Sequence, residues 1–176
     1  MPRTRRPMRY RLLLLFDQDD VLYEIANLAA AQGESSRIED ATGEKMEQFK
    51  NICEEGNRDR VLRTVPLAIS KCEKILSAWT KNRMMDHLSL DNALQDKPEF
   101  VMEMVVEEHI SANIAYALLR FIQEYIEVYV LEDWAGITYP EGRPYWAERL
   151  AGIEAELRDL TTYIDDDCCA IIPPNW

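Results

Sequence analysis

The chain has 176 residues, 47% of them apolar and 30% charged, a composition that excludes disordered and fibrous classes and at this length points to one compact core. Its six glycines leave too little turn punctuation for the many short strands of an all-β sandwich. Thirty-two acidic against twenty basic side chains give a net charge of −12, which argues against a general nucleic-acid-binding surface because duplex phosphates are repelled.

The charge is uneven from the first turn of the chain. Arg3, Arg5, Arg6, Arg9 and Arg11 stand in the first eleven residues, which hold no acid, and the remaining 165 residues carry −17 from 15 basic and 32 acidic groups. The apolar run Leu12 to Phe16 that follows imitates a secretory signal. It is shorter than the roughly 7 to 15 residues such a region needs and stops at Asp17, Asp19 and Asp20, so a cytoplasmic or virion location is expected. Residues 1–16 read as an extended arm, either a solvated terminus or a grip on an acidic partner. Exposed ion pairs contribute at most about 1 kcal/mol each, too little to hold such an arm on its own chain. Residues 1–9 are therefore expected to order only in an assembly, where a neighbouring subunit buries Tyr10, Leu12 and Leu14, and Trp176 is expected to behave likewise at the other end.

Asp19 or Asp20 can cap a first helix, with Val21, Leu22, Ile25, Leu28 and Ala29 on one face and Gly33 to end it. A polar loop over residues 34–43 leads to a second short helix, carried by the spacing of Met46, Phe49 and Ile52. Asp59 to Thr64 can form a turn before Pro66, which is placed to open a third helix, because proline is tolerated where no intrahelical N–H is needed. Val65, Ile69, Cys72, Leu76 and Trp79 make its stripe. Residues 81–97 show no sustained period and read as a long loop.

Pro98 is expected to open the longest helical region, Glu99 to about Asp133, either as one helix or divided near Ser111. From Ile110 onward, Asn113, Arg120, Gln123, Glu124 and Glu127 fall on one narrow polar stripe, and apolar residues cover the rest, as suits a central helix. Arg120, Glu124 and Glu127 within one span make a membrane crossing costly. After the turn at residues 135–144, Pro144 can start a last helix whose Trp146, Leu150, Ile153, Leu157, Leu160 and Ile164 form a coiled-coil-like seam. The run Asp165 to Asp167 opposes the negative helix end and should stop it, leaving 165–176 as a tail. The expected fold is all-α, a single-domain bundle of five or six helices spanning 1–176: an extended arm (1–16), a helical core (17–164) and a C-terminal tail.

Few residues suggest chemistry. His87 and His109 lack partner histidines at helical spacing, and no cysteine has zinc spacing. Cys168 and Cys169 are neighbours with Cα atoms about 3.8 Å apart, too close for an unstrained disulfide. No catalytic, cofactor-binding or metal-binding set is assigned. Arg3, Arg5, Arg6, Arg9, Arg11 and Trp176 are the candidate interaction residues, with no membrane partner and no nucleic acid beyond weak contact by the arm.

Two family resemblances follow from particular stretches. The segment RLLLLFDQDDVLY, Arg11 to Tyr23, resembles the first motif of haloacid-dehalogenase-type phosphatases. That resemblance implies a parallel sheet, Asp17 as nucleophile and Asp19 as general acid or base around Mg²⁺, with the late YIDDD segment as an acidic metal motif; Asp20 stands where the family usually has glycine. The second is broader. FDQDDVLYEIANL looks like the opening helix, VLRTVPLAISKCEKILSAW like the second element, and residues 98–164 like the long helical pair of small tailed-phage head-to-tail adaptor proteins. This resemblance implies a non-enzymatic assembly protein that forms a ring between portal and tail, with other copies and other virion proteins as partners and no cofactor. A generic helical interaction module is the remaining reading.

Overall fold

The computed structural model describes residues 9–35, 43–80, 99–107 and 112–167. In chain order these form β1 (Arg9–Asp17), α1 (Gln18–Ser35), α2 (Gly43–Lys50), a 3-10 turn (Asn51–Cys53), α3 (Glu55–Ile75), α4 (Ser77–Thr80), β2 (Glu99–Glu107), α5 (Ala112–Thr138), a second 3-10 turn (Pro140–Gly142) and α6 (Arg143–Asp167). Helix makes up 84% of the described residues, so the helical bundle stands, with one antiparallel two-stranded sheet added to it.

The bundle is organised around α5. Leu118, Ile122, Tyr125, Ile126, Leu131 and Trp134 are buried along it, and α6, α3, α1 and α2 all pack against it. The seam of α6 is spent within the same chain, since Trp146, Ile153 and Leu157 are buried and Leu150 and Leu160 pack onto the core. Phe49 ties the short α2 to this pair. Its ring meets Tyr139 at 6.1 Å and Trp146 at 6.2 Å, and its carbonyl accepts the Trp134 indole N–H at 3.1 Å. The chain passes from α5 to α6 so tightly that a Cβ at Gly142 would collide with the Tyr139 ring. Among the described residues, no helix is long and apolar enough to cross a membrane.

Several expectations from the sequence are corrected. Residues 99–107 form a strand, not the start of the long helix, which is a single helix beginning at Ala112. The ambiguity has a physical source, because Glu99, Glu103 and Glu107 are four apart and fit one helix face as well as they fit one strand face. What decides is the partner: β1 pairs with β2 from Arg9↔Glu107 to Asp17↔Glu99. The arm is accordingly not free from residue 9 onward, and Leu12 and Leu14 pack into this chain's own core, not a neighbour's. Asp17, rather than Asp19 or Asp20, caps α1, its Oδ1 accepting the backbone N–H of Asp19 at 2.9 Å and of Asp20 at 3.1 Å. That helix runs past Gly33 to Ser35.

Pro66 lies inside α3 rather than opening it. An interior proline costs about 3 kcal/mol, yet Val61, Val65, Ala68 and Cys72 recur at helical spacing on the buried face and hold the helix through it. At the other end, the backbone of α6 continues through Asp165 to Asp167. An exposed carboxylate at a helix C-terminus costs only about 0.3 to 1 kcal/mol, too little to stop a helix already committed to a packed seam. The 81–97 loop, Arg3, Arg5, Arg6, the vicinal cysteines and Trp176 lie outside the described residues.

Candidate functional site

The β1–β2 ribbon divides its side chains by parity. Leu14, Phe16, Met102, Met104 and Val106 are buried against the helices. Successive residues of a strand point to opposite faces, so the alternate positions face away from the core. There Leu13 is 52% exposed, Leu15 55% and Val101 50%, with Leu15 directly opposite Val101 in the register. Three large aliphatic side chains clustered on one face differ from singly exposed residues such as Tyr23, Leu67 or Tyr116, which any surface carries.

Charge frames this patch. The Arg11 guanidinium grips the Glu103 carboxylate with two hydrogen bonds, Nε donating to Oε1 and Nη2 to Oε2, the latter at 2.7 Å. In the register Arg11 lies opposite Val105 and Glu103 opposite Leu13, so the pair bridges the strands diagonally. Asp17 and Glu99 face each other at the far end. Among the described residues, neither β1 nor β2 has a second strand partner. α3 and α4 pack beside β2, while β1 continues directly into α1.

A second feature is polar. Glu24 and Leu28 of α1, Arg120, Gln123, Glu124 and Glu127 of α5, and Arg149 of α6 line a cleft of about 240 Å³. The polar stripe of α5 therefore faces this gap. Arg149 donates to Glu124 Oε1 from Nη2 at 2.6 Å and from Nε at 3.2 Å. Gln123 Nε2 donates to Glu127 Oε1 at 2.9 Å. Glu127 is only 6% exposed, and burial raises its pKa to about 7, aided by Glu24 and Glu124 and opposed by the Gln123 hydrogen bond and by Arg120.

The residues singled out from sequence are dispersed. Arg9 pairs with Glu107 at the start of β1, and the exposed Arg11 lies on its outward row. Asp17 is occupied as a helix cap, and Asp19 points into solvent near Arg58 at 3.6 Å. The described strands are antiparallel, unlike the parallel sheet that the phosphatase resemblance implies. Among the described residues, no group of three His, Cys, Asp or Glu side chains could hold a metal ion. The Cys53 and Cys72 thiols form no disulfide, and burial raises their pKa to about 11 and about 12, which favours the protonated thiol at neutral pH.

Sequence reasoning missed Leu13, Leu15 and Val101. The available signal was the alternation in EFVMEMVVE, where every second residue from Phe100 to Val106 is apolar and Glu recurs among the others. Compared with known proteins, the chain matches no family model, no curated protein and no solved structure.

Proposed function

We propose that this chain is a non-enzymatic assembly protein, a head-to-tail adaptor of a tailed phage or prophage that packs as a ring between portal and tail. The observation that carries the assembly reading is the outward apolar face of the ribbon, Leu13, Leu15 and Val101, on a sheet of two strands. Two strands alone are marginal, and this pair is held by burying one face while the other stays available to a partner. The phage part of the reading rests on the order of helices, an Asp-capped opening helix, the apolar-striped α3, and the long packed pair α5 and α6.

Negative-stain microscopy and native mass spectrometry of the full chain test it. Annular oligomers that Leu15→Lys disperses, with helix content unchanged by circular dichroism, are expected. A chain that forms no closed oligomer at high concentration, or oligomers indifferent to Leu15→Lys, would overturn it. A phosphate-ester panel with Mg²⁺ separates this from the phosphatase reading: wild type and Asp17→Asn are expected to show equal, negligible turnover.

A further inference from the structure

We infer that the edge of β1 turned away from β2, unpaired among the described residues, is a homodimer surface, on which β1 of a second copy adds in antiparallel orientation about a two-fold axis at Leu13. The inference rests on the assembly reading above and specifies its first contact.

An exposed strand edge is a template for another strand, and the described part of this molecule has two such edges. Charge selects between the possible pairings. Joining β2 to β2 over their full length sets Glu99 opposite Glu107 twice and Glu103 opposite Glu103, three like-charge contacts in one ladder. Joining β1 to β2 of another copy in the register already present within the chain repeats Asp17 opposite Glu99. Joining β1 to β1 over its nine residues sets Arg9 opposite Asp17 twice, Arg11 opposite Leu15 twice, and Leu13 opposite its symmetry mate. This is the one full-length pairing of the three without a like-charge contact, because β1 is basic at its start and acidic at its end.

Parity agrees with charge. In that register odd residues meet odd and even meet even, so Leu12 of one copy meets Leu14 of the other on the core side. A shift by one residue would place the buried row of one copy beside the exposed row of the other. The outward row then joins Leu13 and Leu15 of both copies, with Val101 at each side, into one apolar stripe across four strands. Because a two-fold contact closes on itself, this edge makes dimers, and any ring must be built from them through another surface; the outward stripe is that surface.

Cross-strand partners have Cα atoms about 4.5 to 5.5 Å apart, within disulfide range, whereas residue 15 would be displaced from its own symmetry mate by four residues along the ladder. The test therefore adds one cysteine, at position 13 or at position 15, to a full-length chain in which Cys53, Cys168 and Cys169 are serine and the buried Cys72 is kept. Under mild oxidation Leu13→Cys should form a covalent dimer about tenfold faster than Leu15→Cys, and Arg9→Asp should weaken dimerisation about tenfold in light scattering, an effect lost at high salt. Equal cross-linking at both positions, a lack of cross-linking in a chain that still associates, or a strict monomer overturns the inference. Annular particles without the position-13 cross-link would leave the assembly reading standing and sink only the edge pairing. The cross-link without annular particles would do the reverse.

Discussion

The α5–α6 pair and the β1–β2 ribbon are both rich in large apolar side chains, but they spend them differently. The helical pair turns its stripes toward each other and toward α3, so that Trp146, Ile126, Leu131 and Leu157 are buried in one chain. In the ribbon, period-two geometry divides LLLLF between two faces, and only Leu12, Leu14 and Phe16 have helices to pack on. A helix can orient an apolar arc toward one neighbour. A strand made of consecutive leucines cannot, and its surplus, Leu13 and Leu15, is left exposed.

The largest expected effect lies in the helical pair. Trp146→Ala should destabilise the chain by about 3 to 5 kcal/mol in denaturant unfolding, because it empties the buried site that Phe49 and Tyr145 flank. A stable, folded Trp146→Ala variant would show that this pair is not the centre of the fold.

Within the ribbon the contrast should appear between neighbours. Leu14→Ala is expected to cost about 2 to 4 kcal/mol, since Leu14 is buried opposite Met102. Leu13→Ala should change the stability of the monomer by less than about 0.5 kcal/mol and instead reduce association. Equal effects on folding would mean that the outward row is already covered.

The cleft gives an effect of intermediate size with a defined sign. Unfolded, Glu127 ionises near 4.5, whereas burial holds its native pKa at about 7. The native state binds the extra proton between those values, so its stability falls as pH rises through that window, and the penalty is complete above it. Glu127→Gln should therefore stabilise the chain by about 2 kcal/mol at pH 8 and leave it unchanged at pH 4. Thermal melts at the two pH values decide, and a pH-independent shift would assign the effect to packing. Arg11→Gln should also act weakly on stability: the Arg11 side of its pairing with Glu103 is exposed, so the loss is at most about 1 kcal/mol and shrinks in salt.

Much of the bundle was legible along the chain. The stripes of α1 and α6, the pairing of Phe49 with Ile52, and the central character of α5 all follow from local spacing, which a helix reads within a few turns. The cleft was half legible, for Gln123, Glu124 and Glu127 form a stripe in the sequence, but Glu24 and Arg149 reach it from distant helices. Of the ribbon only the alternation in Glu99–Glu107 was legible; its pairing was not, since Arg9–Asp17 and Glu99–Glu107 are ninety residues apart and each is a strand because of the other.

What the sequence by itself determined was the helical class, the seam of α6 and the charge asymmetry of the N-terminal stretch, because these depend on residues within reach of one turn or on composition alone. Only the tertiary structure decided that Glu99–Glu107 is a strand, that Asp17 is a cap, that Pro66 is carried inside α3, and that Leu13, Leu15 and Val101 face outward. Apart from the Asp17 cap, which accepts from N–H groups two and three residues on, each of these turns on packing or pairing with residues distant in sequence. Local propensity differs between helix and strand by at most about 1 kcal/mol per residue, and the burial of a single large side chain outweighs it.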